Sequence, residues 1–213
     1  MVVNEFFWFN NNISSDSCKK LLSIAEGKFE PAFVNTKAHV SNEERRSGLK
    51  AKYSSNNEVR MSDVFFSDDP WIYNLIAPYM QEANENAGWN YNVNGCESVQ
   101  ISRYQGDEYY HWHRDGNACH ISKYDEPENC FKHGNVRKLS MTVNLNDDYE
   151  GGNLEFATLN SSRSKYEVTE YTAPNNGVGS VLVFPSYVMH RITPVIKGTR
   201  YSLVAWFLGP PLT

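Results

Sequence analysis

The chain has 213 residues, of which 40% are hydrophobic and 14% aromatic, so it is long and apolar enough to fold around a sizeable core. Its formal net charge of −5 argues against a nucleic acid as the main partner, because binding a phosphate backbone requires a basic face. This composition predicts a globular protein and excludes an intrinsically disordered chain.

Cysteine spacing and hydropathy indicate the cellular compartment in which the protein is expected. The four cysteines form no C-x-x-C pair, which argues against a cysteine zinc site; they are Cys18, Cys96, Cys119 and Cys130. Residues 1–12 lack the basic start of a signal peptide, and no later segment is long and apolar enough to cross a bilayer. We therefore expect a soluble, cytoplasmic protein that has reduced cysteines and no membrane partner.

The first third of the chain predicts one strand, one helix and one long loop. Residues 1–9 are short and aromatic, as is typical of an edge strand. Ser14, or one of the two residues after it, is suited to cap a helix that ends near Gly27. Residues 35–60 are polar and charged, which predicts either a functional lid or a plain disordered excursion.

A second helix is predicted over residues 69–86. Pro70 suits the first turn of a helix, whereas Pro78 predicts a kink or a division. Apolar residues recur at helical spacing, which predicts that one face packs on the outside of a sheet; they are Ile72, Leu75, Ile76, Tyr79, Met80 and Ala83.

From about residue 99 the pattern changes to short β runs separated by Gly, Asn, Asp or Pro. The predicted strands are 99–104, 138–145, 153–156, 167–172, 180–184, 188–192 and 200–208. Many short strands with turn signals between them predict an all-β sandwich or barrel. Because helices precede the strands, we expect a mainly β (α+β) jelly roll with flanking N-terminal helices.

Three residues form a candidate metal site. His113 and Asp115 are spaced as H-x-D, and side chains two apart on a strand point to the same face. His190 supplies a third candidate ligand. Two histidines and one carboxylate form the facial triad of non-haem iron(II) oxygenases, although zinc accepts the same ligands and a lone H-x-D is common by chance.

An arginine follows His190 at a distance of ten residues. Arg200 precedes the apolar run 203–207, and a buried arginine there would need an anion. A dicarboxylate that chelates the metal through its keto-acid end would place its distal carboxylate against Arg200, with Ser202 on the same strand face. The alternative is that Arg200 is a solvated charge at the start of a strand.

The order of several motifs makes the chain similar to a known family over residues 60–209. These are Y-x-G-x-x-Y at 104–109, the H-x-D pair, LNDDYEGGNLEF at 145–156, GSVLVFP at 179–185, His190 and GTRYSLVAW at 198–206. Together they resemble the 2-oxoglutarate/Fe(II) dioxygenases of the prolyl-hydroxylase-like group. The resemblance implies a double-stranded β-helix fold in one domain, 1–213, with helical support and lid at about 13–97 and a core at about 98–209.

The resemblance also implies an activity and its cofactors. It implies hydroxylation coupled to oxidative decarboxylation of 2-oxoglutarate to succinate and CO₂, with Fe(II), O₂ and optional ascorbate. The favoured substrate is a peptidyl proline, so the partner is a peptide or protein. A small-molecule hydroxylase and a non-catalytic jelly-roll binding module remain alternatives. The combination of His113, Asp115, His190 and Arg200 favours an enzyme, because a binding module has no need of all four.

Further roles are carried over by position within the resemblance. Tyr104 resembles a tyrosine that contacts the cosubstrate, and Asn144 occupies a position where some relatives place another contacting side chain, often Tyr. Trp206 is predicted beside the metal. Core packing is the alternative for Tyr104 and Trp206. Arg200, where collagen-type enzymes usually carry Lys, is similar to the hypoxia-sensing, bacterial and viral relatives.

Two features narrow the reaction and the surroundings of the site. Asp115 is present, which favours hydroxylation over halogenation, and no Arg follows Arg200, which argues against the nucleic-acid demethylases of the superfamily. The insert 116–137 contains Cys and His residues, but their spacing matches no zinc motif. We expect this insert to form a rim over the site and to close on a peptide together with residues 35–60.

Overall fold

The computed structural model describes residues 4–32, 59–117, 119–160, 165–169 and 177–212, so the predicted loop 35–60 lies almost entirely outside the described residues. The described residues contain two helices, α1 (Ser15–Ala25) and α2 (Pro70–Asn86). The side chain of Ser14 accepts a hydrogen bond from the backbone N–H of Ser17 and caps α1, and the side chain of Asp69 caps α2 in the same way through Trp71.

The described strands form three antiparallel sheets. They are β1 (Phe7–Phe9), β2 (Glu30–Pro31), β3 (Asp63–Ser67), β4 (Gly95–Cys96), β5 (Val99–Gln105), β6 (Tyr110–His113), β7 (Val136–Asn144), β8 (Glu150–Gly151), β9 (Leu154–Asn160), β10 (Lys165–Thr169), β11 (Val181–Pro185), β12 (Met189–Ile192), β13 (Val195–Lys197) and β14 (Thr199–Gly209). The large sheet runs β1-β11-β7-β14-β5-β3-β2, and β4 also pairs with β14. The small sheet runs β10-β9-β12-β6, and β13 pairs with β8.

Strand β14 separates the hydrophobic core from the cavity that faces the small sheet. Its odd-numbered side chains join the helices in the main core; they are Leu203, Ala205 and Phe207. Its even-numbered side chains line a cavity on the other face; they are Arg200, Ser202, Val204 and Trp206. This alternation follows from the two-residue period of a strand and places polar groups on the face opposite the helices.

The small sheet covers the cavity face of the large sheet. Phe156 of β9 packs against Leu182 and Phe184 of β11, and the Phe156 and Phe184 rings meet edge to face at 5.1 Å. Two antiparallel sheets that pack face to face confirm the predicted jelly-roll core. Helices α1 and α2 contribute to the main core on the opposite face, as expected.

Most predicted elements are confirmed, and the differences are local. Strand β1 lies at the edge of the large sheet, and helix α2 continues through Pro78 without being divided. Strand β3 was not predicted, because its side chains do not alternate strictly and Phe66 in it is 51% exposed. Within the described part of the chain, no helix has the length and apolarity needed to span a membrane.

The core on the helix side of β14 predicts a large loss of stability on truncation. Leu203 is fully buried there, so Leu203→Ala is expected to lower the free energy of unfolding by about 3 kcal/mol through lost packing and a cavity. Ile196→Ala is the matched control, since Ile196 is 75% exposed, and its effect is expected to stay within about 0.5 kcal/mol. Urea unfolding measures both, and equal losses would contradict this assignment of the core.

Candidate metal centre and cosubstrate pocket

The three predicted metal ligands lie together. Strands β6 and β12 are neighbours in the small sheet, and His190 pairs directly with His113. The Nε2 atom of His113 lies 3.9 Å from Oδ1 of Asp115, and Nε2 of His190 lies 3.7 Å from Oδ2. One candidate ligand atom from each residue lies within 4.8 Å of the other two. Two imidazole nitrogens and one carboxylate oxygen therefore surround a point where a metal ion could bind.

The side chain of Asp115 is positioned by hydrogen bonds and not by the predicted alternation along a strand. Strand β6 ends at His113, so strand alternation does not place Asp115. Instead, the backbone N–H of Asp115 donates to the carbonyl oxygen of Ser186 at 2.9 Å. The hydroxyl of Ser140 donates to Oδ2 of Asp115 at 2.6 Å and lies 2.9 Å from the hydroxyl of Ser186. Two serines distant in sequence thus fix the carboxylate.

Backbone carbonyl groups fix the tautomers of both histidines. The Nδ1 atom of His113 lies 2.8 Å from the carbonyl oxygen of His111, and Nδ1 of His190 lies 2.8 Å from that of Val188. A carbonyl oxygen only accepts, so each Nδ1 carries a hydrogen, and in the neutral imidazole the lone pair is then on Nε2, which faces Asp115. This orientation by a second hydrogen bond is typical of metal-binding histidines.

Electrostatics also favour a metal at neutral pH. Burial and the nearby His190 lower the pKa of His113 to about 3, so its imidazole is neutral. Burial alone would raise the pKa of Asp115, but His190, His113 and a hydrogen bond from Ser140 outweigh it and hold this pKa below its usual value. A metal ion therefore meets a neutral His113 imidazole and an ionised Asp115 carboxylate, which are the forms that coordinate cations.

The candidate ligands share a cavity of about 450 Å³ with Arg200. Arg200 is 3% exposed, its Nη1 donates to Ser202 Oγ at 3.0 Å, and its buried Nε has no hydrogen-bond partner among the described residues. No carboxylate within the described ranges forms an ion pair with it. A buried guanidinium without an anion is a strong site for a carboxylate, so the donor set fits both a divalent metal and 2-oxoglutarate.

The two other predicted cosubstrate contacts lie on either side of Arg200. Tyr104 is buried opposite Arg200 in the sheet, and the Cζ atom of Arg200 lies 5.6 Å from the centre of its ring. Asn144 lies opposite Ser202 but lines a separate cavity of about 50 Å³, which also touches Arg200. The structure therefore brings Tyr104 into the cavity lined by the candidate metal ligands and leaves Asn144 beside it.

The cavity also contains charged and aromatic groups that were not predicted. Arg137 donates through Nε and Nη2 to the two carboxylate oxygens of Glu97 at 2.6 and 2.7 Å, and its guanidinium lies 4.1 Å from the centre of the Trp206 ring. The ring of Tyr110 stacks on His113 at 3.5 Å, and Arg60 lies over Tyr110 at 4.6 Å. Except for the stack of Tyr110 on His113, these contacts join residues far apart in sequence, so no local motif signals them.

The insert 116–137 packs partly against the body of the protein. His120 is 4% exposed, and its ring meets the rings of Tyr91 and Tyr187 edge to face at 4.9 Å. Neither ring nitrogen has a hydrogen-bond partner among the described residues. Burial and the nearby Lys138 lower the pKa of His120 to about 4. Among the described residues, the only cluster suited to a metal is His113, Asp115 and His190.

Removal of the central carboxylate tests the metal site. Asp115→Ala is expected to weaken binding of iron(II) or manganese(II) by more than about 100-fold, because it removes one of three ligands. His133→Ala is the matched control, since His133 is exposed on the insert 116–137, and it is expected to leave metal affinity unchanged. Calorimetric titration of the metal-free protein measures both, and unchanged affinity in Asp115→Ala would reject the site.

The buried His120 predicts a loss of stability in acid. Its folded pKa of about 4 lies below its unfolded value, so the unfolded state binds the proton first and stability falls as the pH drops from about 6.5 towards 4. This contributes a loss of about 2 kcal/mol between pH 7 and pH 5. His120→Phe is expected to remove that part of the pH dependence in urea unfolding, and an unchanged pH profile would contradict the assignment.

Comparison with known proteins gives matches over the strand-rich part of the chain. The profile of the 2OG-Fe(II) oxygenase superfamily matches residues 99–208, which is more than half of the chain. A PKHD-type hydroxylase from Idiomarina loihiensis is 31% identical over 110 residues, which are 51% of this chain and 40% of that protein. The chain spans less than half the length of the first PKHD-type relatives that it matches.

Solved structures share the fold over nearly the whole chain. A prolyl hydroxylase from Trichoplax adhaerens, in complex with a hypoxia inducible factor peptide fragment, superposes with a TM-score of 0.63 at 18% identity, covering 97% of this chain and 87% of that one. The viral collagen prolyl hydroxylase of Paramecium Bursaria Chlorella virus-1, in complex with 2OG, gives 0.58 at 16% identity, covering 97% of each. From the profile match and the clustered His-Asp-His residues, we conclude that the chain belongs to the 2OG-Fe(II) oxygenase superfamily.

Proposed function

We propose that this protein is an iron(II)- and 2-oxoglutarate-dependent prolyl 4-hydroxylase that acts on peptidyl proline. The observation that carries the proposal is the shared cavity, in which the buried Arg200, without an ion-pair partner among the described residues, lies with the cluster His113, Asp115 and His190. We further propose that residues 1–213 act as one catalytic domain, in which the helices support the β-sheet core.

The proposed reaction divides the work among the residues of the cavity. His113, Asp115 and His190 hold the metal, and Arg200 with Ser202 binds the distal carboxylate of 2-oxoglutarate. Iron(II), when bound, supplies the redox chemistry that couples reduction of O₂ to oxidation of the cosubstrate and of a substrate C–H bond. One oxygen atom enters the new hydroxyl group and the other enters succinate, and CO₂ is released. The stacked Tyr110 ring keeps the His113 imidazole in place.

The wall of the cavity supports a peptide as the substrate. Trp206 lines the cavity and is largely buried, so the exposed part of its ring offers an apolar wall against which a substrate can pack. The bidentate pair of Arg137 with Glu97 fixes the face of Trp206. Phe66 lines the cavity and is 51% exposed, so the cavity opens to the surface where a longer chain could continue.

The names of the structural neighbours also support a peptidyl proline as the substrate. One structural neighbour is a prolyl hydroxylase with a bound peptide fragment, and another is a collagen prolyl hydroxylase. The alternative is hydroxylation of a free amino acid or another metabolite, which needs the same metal and cosubstrate but no opening for a chain. A non-catalytic binding module would not explain why a buried cation faces the three metal ligands.

A direct assay separates these functions. The protein is incubated aerobically with iron(II), 2-oxoglutarate and ascorbate, together with proline-containing peptides, matched peptides with alanine in place of proline, or free proline. We expect the mass of one oxygen atom on the proline peptides alone, with stoichiometric succinate, as measured by mass spectrometry.

The outcomes of this assay are distinct. Modification of free proline alone would favour the small-molecule enzyme, whereas succinate formation in no mixture would favour the binding module. His190→Ala is the control for stray iron chemistry, and it is expected to abolish both products. Products that persist in this variant would show that free iron, rather than the proposed site, generates them.

A further inference from the structure

The position of Arg200 depends on a stretch of β14 that lacks a complete strand neighbour. On one side, β5 stays paired through Thr199, which lies opposite Gln105. On the other side, β7 ends at Asn144, opposite Ser202. Just beyond β7, the backbone N–H of Leu145 still donates to the carbonyl oxygen of Tyr201 at 3.1 Å. The N–H of Tyr201 and the carbonyl of Thr199, which flank Arg200, receive no partner from a continuing strand.

The side chain of Asn146 supplies these missing partners. Its Nδ2 donates to the carbonyl oxygen of Thr199 at 2.6 Å, and its Oδ1 accepts the backbone N–H of Tyr201 at 2.7 Å. The two hydrogen bonds fall on either side of Arg200. Because a carbonyl oxygen only accepts and an N–H only donates, the orientation of the amide group is fixed.

The chemistry of this contact selects asparagine. The second hydrogen of Nδ2 goes to Oδ1 of Asp148 at 2.5 Å, so both donors of the amide are used. An aspartate at position 146 would keep the acceptor for Tyr201 but would turn an oxygen towards the carbonyl of Thr199 and the carboxylate of Asp148. An alanine would leave the two backbone groups that flank Arg200 without partners.

The same turn touches the Arg200 side chain. A Cβ atom on Gly152 would lie 2.7 Å from Cδ of Arg200, and Gly152 has a φ of +61°, which favours glycine. The segment 146–152 thus holds Arg200 at two levels: Asn146 holds its backbone, and the backbone of Gly152 lies against the stem of its side chain. Neither residue reaches the metal ligands.

We propose that Asn146 is a positioning residue for 2-oxoglutarate, which acts by holding the backbone of Arg200 so that its guanidinium faces the distal carboxylate. This inference rests on the proposed function, in which Arg200 binds that carboxylate. Asn146 does not touch the cosubstrate, and its effect passes through Arg200. It therefore affects ligands with a distal carboxylate and leaves ligands without one unchanged.

Two ligands separate this role from a general structural role. 2-Oxoglutarate contacts both the metal and Arg200, whereas oxalate chelates a metal through two oxygens but has no distal carboxylate. In calorimetric titrations of the manganese(II)-loaded protein, Asn146→Ala is expected to weaken 2-oxoglutarate binding about tenfold and to leave oxalate binding unchanged. Asn146→Asp keeps the shape of the side chain, and we expect it to show the same selective loss.

Two further variants complete the design. Asp147→Ala is the matched control, because Asp147 is the exposed neighbour of Asn146 in the same turn, and both affinities are expected to stay unchanged. In an Arg200→Gln background, which itself weakens 2-oxoglutarate but not oxalate, Asn146→Ala is expected to cause no further loss, since the two residues act as one unit.

The possible results test the role of Asn146 separately from the role of Arg200. If Asn146→Ala and Asn146→Asp weaken both ligands equally, or if their effect adds fully to that of Arg200→Gln, Asn146 is only structural and the proposal is wrong. If Arg200→Gln weakens 2-oxoglutarate selectively but the Asn146 variants do not, the proposed function stands and only the role of Asn146 fails. If Arg200→Gln leaves 2-oxoglutarate binding intact, the assigned role of Arg200 fails, and that of Asn146 fails with it.

Discussion

The rest of the site depends on the buried guanidinium of Arg200, which has no carboxylate partner within the part of the chain that the structure describes. Arg200 is buried on β14, and its guanidinium donates to the hydroxyl of Ser202. Burying a guanidinium in this way is costly unless an anion pairs with it, which supports our proposal that a carboxylate binds here. Because Arg200 and His190 line the same cavity, the proposed ligand is an anion whose second end chelates a metal.

The architecture places these groups by simple strand geometry. Alternate side chains of β14 separate an apolar face, which packs on the helices, from a polar face, which lines the cavity. The small sheet brings His113 and His190 together by direct pairing, and serines from the large sheet and from the turn after β11 hold Asp115. The hydrogen bonds from each Nδ1 to a backbone carbonyl orient both imidazole rings so that each Nε2 faces the candidate metal position.

The main helices and strands and the candidate metal ligands could be predicted from the sequence, but the contacts that hold these ligands in place could not. Strand and helix signals are local, so the helix over 70–86 and the strands from 99 onward could be predicted closely. The hydrogen bonds that position Asp115 could not be predicted, because they come from Ser140 and Ser186, which are far from Asp115 in the chain. The bidentate pair of Glu97 with Arg137 and the support of Arg200 by Asn146 were missed for the same reason: each is a tertiary contact without a spacing signature.

The central claim is that one cavity binds a metal and 2-oxoglutarate together. The most direct measurement is an anaerobic titration of the metal-free protein with iron(II) and then with 2-oxoglutarate, followed by visible absorption. We expect a charge-transfer band that appears only when iron(II) and 2-oxoglutarate are both present. The keto acid would then chelate iron at the coordination positions that His113, Asp115 and His190 leave open. Tight metal binding with no band after addition of 2-oxoglutarate would contradict joint binding of the two in this cavity. The protein would then be a metal-binding jelly roll that does not use this cosubstrate.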